Sequence, residues 1–109
     1  MATNYKVLGQ SIPSATTATT LYTVPSATST VVSTITVCNQ ASSAATFRIA
    51  VRPAGATLAA QHYIVYGATV PASDTTTLTL GLTLATTDVV TVYASSANLS
   101  FNAYGSEIS

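Results

Sequence analysis

The sequence predicts an all-β protein: a single antiparallel β-sandwich, jelly-roll-like, built from about eight short strands. The first reason is composition, because 6% of the 109 residues are charged, 48% are hydrophobic, and Thr makes up about a fifth. Thr is β-branched and favours the pleated, half-buried surface of a sheet. The second reason is that apolar residues recur at every second position, which is the period of a strand. The third is that the intervening segments are rich in Pro, Gly, Ser and Asn, which favour turns.

The first half of the chain contains four of the predicted strands. Two weakly patterned strands lie around Tyr5–Leu8 and Leu21–Val24. In the third, TVVSTITVC, alternation places Val31, Ser33, Ile35 and Val37 on one face and Val32, Thr34, Thr36 and Cys38 on the other. In the fourth, TFRIAV, alternation turns Phe47, Ile49 and Val51 inward and Thr46, Arg48 and Ala50 outward. Pro53 then ends this strand or marks a sheet edge, because proline has no amide proton for the ladder.

The second half continues with a weak strand at His62–Val70, preceded by at most one helical turn in ATLAAQHY. The next strand, TTTLTLGLTL, aligns Leu78, Leu80, Leu82 and Leu84 on one face. The last two strands, DVVTVYA and NLSFNAYG, turn Val90, Val92 and Ala94, and then Leu99, Phe101 and Ala103, to one side. The pairs Val31/Val32 and Val89/Val90 are apolar on both faces. This predicts strands that are central in a sheet or covered by another subunit.

Turn segments carry two of the three acidic residues. Asp74 and Asp88 each precede a strand, where a short carboxylate accepts hydrogen bonds from local backbone amides. We therefore expect both to stabilise turns. No linker, charge run or change in composition divides the chain, so residues 1–109 are expected to form one domain.

The charge pattern excludes several classes of partner. The net charge is zero, with three Lys or Arg and three Asp or Glu, so no basic surface for nucleic acid is expected. No apolar run approaches the roughly 20 residues of a membrane helix. The start, MATNYKVLGQ, has no apolar signal-peptide core. We expect a protein made in the cytoplasm that binds neither nucleic acid nor membrane.

The sequence lacks the parts of the common catalytic and metal sites. It has one His, one Cys and three acids, with no HxxxH or CxxC spacing and only isolated glycines. We predict no catalytic, cofactor-binding or metal-binding residues and no enzymatic activity; a hydrolase would have to rely on His62 as its base. Cys38 is expected to be a small buried hydrophobic residue, with an intermolecular disulfide or reactive thiol as the alternative.

The candidate functional residues are those suited to contact with another protein. Alternation puts Arg48 and Arg52 on one outward face, as interface anchors, solvated side chains or, least in keeping with the neutral chain, phosphate ligands. Exposed tyrosines on a Thr-rich sheet also suit protein contact, because the ring supplies apolar area and the hydroxyl stays hydrogen-bonded. Structural filling and stacking on a sugar ring are alternative uses. The predicted interface residues are Arg48, Arg52, Tyr63, Tyr66, Tyr93 and Tyr104.

These residues also carry a resemblance. From Tyr5 to Ile108 the chain resembles a family of small virion structural proteins of tailed bacteriophages, common among marine and cyanobacterial phages. The most specific pieces are FRIAVRPAGA (47–56), DVVTVYAS (88–95) and LSFNAYGSEI (99–108). The resemblance implies a non-enzymatic β-sandwich present in many copies, in the capsid, neck, tail or fibre. Gly67 departs from the pattern, which has an acidic or larger residue there and so puts the local edge geometry in question.

From these observations we expect a structural component of a phage virion that reinforces or decorates the particle. Its expected partners are other copies of itself, with a trimer as the first guess, and major capsid or tail proteins. The alternative is a tail-fibre or baseplate adhesin domain that binds a host receptor or glycan.

Overall fold

Eight antiparallel strands account for most of the chain in the computed structural model, which describes residues 2–109. The strands are β1 (Thr3–Ser11), β2 (Thr19–Thr23), β3 (Ser29–Asn39), β4 (Ala45–Arg52), β5 (Tyr63–Val70), β6 (Thr75–Leu84), β7 (Val89–Ala94) and β8 (Leu99–Ile108). The connection between β4 and β5, residues 53–62, contains two 3₁₀ turns, Pro53–Gly55 and Ala60–His62. Thus β4 ends directly before Pro53, as predicted. The described residues contain no helix long and apolar enough to cross a membrane.

The strands form two four-stranded sheets with a jelly-roll connection. Their orders are β1-β8-β3-β6 and β2-β7-β4-β5. Each early strand pairs with the late strand that mirrors it in sequence order: β1 with β8, β2 with β7, β3 with β6, and β4 with β5. Such a path is a long antiparallel hairpin rolled up so that β8 also meets β3 and β7 also meets β4. The predicted β-sandwich is confirmed, and its strand order is that of a jelly roll.

The core lies between the two sheets and follows the alternation of most strands. Phe47 of β4 and Phe101 of β8 meet across the sandwich in an edge-to-face contact, with ring centroids 6.0 Å apart. The inward residues of β4, β7 and β8 that alternation predicts are buried, apart from the half-buried Val51. The leucines of β6 point the same way, but only Leu84 is buried, because β6 is an edge strand.

The predicted face assignment of β3 is wrong in its first half. In the ladder with β8 the register shifts between Val32 and Thr34, where Ser33 is an extra residue of β3, so a β-bulge lies at Ser33. A bulge adds one residue and reverses the alternation beyond it. Val32 therefore shares the core face with Ile35 and Val37, whereas Val31 faces outward. Cys38 also lies on the outward face and is half-buried, contrary to the expected burial.

Contacts within the chain explain why β7 carries an apolar residue on each face, Val89 on one and Val90 on the other. Strand β7 is central in its sheet, and Val90 points into the core. Val89 points outward but is only 6% exposed, since the first 3₁₀ turn of the 53–62 connection packs on β7. The chain covers this part of the sheet by itself.

Gly105 is required by the close approach of β8 to β3. A Cβ atom at this position would overlap the backbone carbonyl oxygen of Val31. The neighbouring atom is backbone and cannot rotate away. Any other residue would therefore push the two central strands of this sheet apart.

One end of the sandwich is closed by a buried asparagine. Asn39 is 1% exposed, and its Nδ2 donates to the carbonyl oxygens of Ser43, Val70 and Pro71 at 2.9, 3.2 and 3.2 Å. Its Oδ1 accepts from the amide of Ala41 at 3.0 Å. Because Asn39 belongs to β3 and Val70 to β5, this one side chain joins the two sheets.

A second polar group lies between the sheets and connects β2 with β8. The Tyr22 hydroxyl donates to Glu107 Oε2 at 2.6 Å and lies 2.8 Å from Thr30 Oγ1. Lys6 Nζ pairs with Glu107 Oε1 at 3.3 Å. The hydrogen bond from Tyr22 holds the pKa of Glu107 below its usual value, and burial raises the pKa of Tyr22 to about 12.

Candidate interaction surface

The outer face of the β2-β7-β4-β5 sheet carries a row of three stacked side chains. Arg48 of β4 lies opposite Tyr66 of β5 and Tyr93 of β7 in the strand ladders. Its guanidinium carbon is 4.2 Å from the centroid of the Tyr66 ring and 4.3 Å from that of Tyr93. Both distances lie well within the range of cation–π attraction. We call this row the Arg48 stack.

A glycine bulge brings Tyr66 beside Arg48. The β4–β5 register moves from Phe47 opposite Ala68 to Arg48 opposite Tyr66, which leaves Gly67 without a partner. Gly67 has φ +76°, a left-handed backbone conformation that glycine adopts at little cost. The resemblance leads to an acidic or larger residue at position 67. The bulge gives a local reason for glycine instead, because a side chain in this backbone conformation would be strained.

The Arg48 stack borders an open aromatic groove. Tyr63 and Tyr66 meet edge to face, with ring centroids 5.0 Å apart, and Tyr66 is 66% exposed. The groove has a volume of about 580 Å³ and is lined by Leu58, Ala59, Ala60, Tyr63 and Tyr66. One wall is therefore the end of the 53–62 connection, and the other is strand β5.

Arg52 acts within the domain. Its Nε donates to Thr91 Oγ1 and its Nη1 to the carbonyl oxygen of Ala56, both at 3.1 Å. Like Arg48 it faces outward, as predicted, because the β4–β7 ladder runs without a register shift. Its guanidinium fixes the start of the 53–62 connection on the sheet.

Asp88 fixes the same connection from the other side. Its Oδ1 accepts from the amide of Ala54 and its Oδ2 from that of Ala85, both at 2.9 Å. Asp74 accepts from the amide of Thr75 at 2.8 Å. The predicted turn-stabilising role is confirmed for both acids, and Asp88 in addition ties the β6–β7 turn to the start of the 53–62 connection.

Tyr104 lies apart from the other five predicted interface residues. It belongs to β8, on the outer face of the β1-β8-β3-β6 sheet, and is 37% exposed. Opposite it in the ladder is Val7, and with Tyr5 and Val31 it lines a second groove of about 390 Å³. The predicted residues thus form two separate surfaces, one on each sheet.

The described side chains offer aromatic area and a guanidinium rather than a metal or nucleophile arrangement. Among residues 2–109 no group of three or more His, Cys, Asp or Glu side chains is placed to hold a metal ion. His62 Nδ1 accepts the amide hydrogen of Ala59 at 3.0 Å, so this ring nitrogen serves the second 3₁₀ turn.

Sequence reasoning missed Asn39, Glu107 and the part that Tyr22 plays. Alternation alone assigns no role to the two polar strand residues Asn39 and Glu107. One signal was that both are polar residues within strongly patterned strands, where a buried polar group needs hydrogen-bond partners.

Comparison with known protein families, with characterised proteins and with solved structures finds no match.

Proposed function

We propose that this chain is a non-enzymatic structural component of a bacteriophage virion, which reinforces or decorates the particle through contacts with copies of itself and with a major capsid or tail protein. The observation that carries the proposal is the Arg48 stack with its adjoining groove. These residues present exposed aromatic area around a guanidinium, on a chain that has few charges. Tyr and Arg are the residue types enriched where proteins meet.

The exposed apolar side chains give further support. Tyr5 is 86%, Ile12 59% and Ile64 44% exposed, in addition to Tyr66. Single exposed apolar residues are ordinary, but here they occur on a chain with a net charge of zero and few charges to keep copies apart. Contact with neighbouring subunits would cover this area.

The topology is also compatible with this role. Jelly rolls occur in viral capsid proteins and in lectins, and the fold alone does not choose between them. The resemblance of residues 5–108 to small phage virion proteins favours the first, and a trimer is the first symmetry to test.

The test has two parts. Sedimentation velocity and native mass spectrometry of the full chain over a range of concentrations should detect a defined oligomer. Tyr66→Ala should weaken it, whereas Thr69→Ala, an exposed change on the same strand, should not. A cryo-EM map of the phage particle should then show hundreds of copies on a capsid or tail.

The contact should also resist salt, because few charges contribute to it. If molar salt removes the protein from particles completely, this contact mechanism is wrong. If the particles lack the chain altogether, the proposed function is wrong.

The second candidate is a glycan-binding adhesin domain at a tail-fibre or baseplate tip. The groove favours it, since half-buried Tyr63 and exposed Tyr66 could stack on a sugar ring and about 580 Å³ is a normal size for a ligand site. This candidate requires binding of the isolated protein to host cells or lipopolysaccharide, loss of that binding in Tyr63→Ala, and at most a few dozen copies per particle.

A further inference from the structure

Four of the six charged side chains form no ion pair within the described residues. The chain has three cationic and three anionic side chains, namely Lys6, Arg48, Arg52, Asp74, Asp88 and Glu107. Lys6 and Glu107 form the ion pair found among residues 2–109. Both carboxylate oxygens of Asp88 accept hydrogen bonds from backbone amides. Arg52 lies opposite Val89, the residue after Asp88, but it donates its hydrogen bonds to Thr91 and Ala56. Arg48 and Asp74 remain.

Arg48 is held in a position that leaves its donors free. The guanidinium carbon lies over both tyrosine rings, and no hydrogen bond from Arg48 to residues 2–109 is present. The guanidinium N–H groups match the two oxygens of a carboxylate. Because the two ring contacts restrain the guanidinium, a carboxylate that reaches it meets donors that are already positioned.

Asp74 is an exposed carboxylate with a free oxygen on a rigid turn. Its Oδ1 accepts from Thr75, which leaves Oδ2 without a partner in the domain. The amide of Asn39 donates to the Asp74 carbonyl oxygen at 2.8 Å, and that of Ser73 donates to the Ala41 carbonyl oxygen at 3.0 Å. These two hydrogen bonds hold the β5–β6 turn against the β3–β4 connection, so the backbone that carries the Asp74 carboxylate is held in place.

We propose that in the homo-oligomer the Arg48 stack of one copy binds the Asp74 carboxylate of the next. This inference rests on the proposed self-association. Glu107 and Asp88 cannot serve without giving up their own partners, so Asp74 is the side chain by which a second copy of this chain neutralises Arg48. In a cyclic trimer each copy gives one carboxylate and receives one, so every Arg48 in the ring meets one Asp74.

The test is a charge exchange in the full chain. Arg48→Glu and Asp74→Arg should each raise the dissociation constant for self-association at least tenfold, because each places like charges together. The double variant, with both substitutions in one chain, should return to within about threefold of the wild type. Ser26→Arg, an exposed change in the β2–β3 turn, is the control for added positive charge and should leave association unchanged.

Asp74→Asn is a milder companion variant. The amide oxygen keeps the bond to Thr75, so folding is preserved even if Arg48→Glu disturbs the stack. It should weaken association about three- to tenfold, and circular dichroism should show an unchanged fold.

Three results would overturn the inference. If association is unaffected by Asp74→Asn and Asp74→Arg while the wild type still forms an oligomer, the homo-oligomer stands without this contact. A folded double variant that does not recover association would also contradict the inference. Weakening by Arg48→Glu alone would assign the carboxylate to another molecule. A wild type that stays monomeric at all concentrations would instead remove the self-association on which the inference rests.

Discussion

Replacing Tyr22 with Phe removes one hydroxyl from between the two sheets, and we expect it to cost about 2–3 kcal/mol of unfolding free energy at pH 7. The hydroxyl donates to Glu107, so its contact with Thr30 must be a bond in which Thr30 donates. Phe therefore removes a hydrogen bond to a carboxylate, worth about 1.5–3 kcal/mol. It also leaves the Thr30 hydroxyl, which is 0% exposed, without its acceptor. For a chain of this size the loss corresponds to a drop in Tm of roughly 10 °C.

The dependence on pH makes this prediction specific. The folded pKa of Glu107 is lowered, so its contribution is present above the unfolded pKa of about 4.3 and is lost as the pH falls through the lower folded value. The folded pKa of Tyr22 is raised from 10.0 to about 12, so the wild type loses stability as the pH rises from 10 to 12. The difference between wild type and Tyr22→Phe should thus be largest between about pH 5 and 9 and should shrink on both sides.

The assay is urea unfolding of both proteins from pH 3 to 11, followed by circular dichroism, with Tyr5→Phe as the control. Tyr5 is 86% exposed, so its loss of a hydroxyl should change the unfolding free energy by less than about 0.5 kcal/mol. A stability difference for Tyr22→Phe that stays constant over the whole pH range would refute the assigned network. So would a Tyr22→Phe variant as stable as the control at pH 7.

Three further substitutions test other contacts by the same urea assay. Gly105→Ala should lower the unfolding free energy by at least about 2 kcal/mol, because its Cβ meets the Val31 carbonyl oxygen; a loss below about 0.5 kcal/mol would mean that β8 and β3 are not this close. Asn39→Ala should cost about 3 kcal/mol or more, since buried carbonyl groups lose their donor, and a neutral result would contradict its burial. Asp88→Asn should lower the unfolding free energy by about 1 kcal/mol, because the amide can replace only one of the two acceptor oxygens. A variant as stable as the wild type would argue against the two hydrogen bonds that Asp88 accepts.

Alternation predicted most of the core because the period of a strand directly sorts its side chains between two faces. It worked for β4 and β8, where Phe47 and Phe101 meet, and failed at β3. The bulge at Ser33 is a property of the ladder with the distant strand β8, and no local residue pattern announces it. The expected burial of Cys38 failed for another reason: alternation placed it on the face opposite to Ile35 and Val37, where it lies, but its burial was judged from residue type.

The candidate surface was predictable as a set of outward residues but not as an arrangement. Alternation placed Arg48 and Tyr93 on outer faces correctly, yet their contact depends on β4 and β7 being neighbours across more than 40 residues of sequence. Tyr66 joins them only through the Gly67 bulge. The separation of Tyr104 from this group likewise follows from the jelly-roll order, which puts β8 in the other sheet.

The rolled hairpin also sets the order in which the chain can acquire its structure. The β4–β5 pair joins segments close in sequence, whereas the β1–β8 pair must bring together Thr3 and Ile108. Closing so long a loop costs more chain entropy than closing a short one, and proteins dominated by such distant pairings fold in milliseconds to seconds. We therefore expect the ladders to form from the innermost pair outwards. During synthesis β1 would wait, unpaired, until the last strand has left the ribosome.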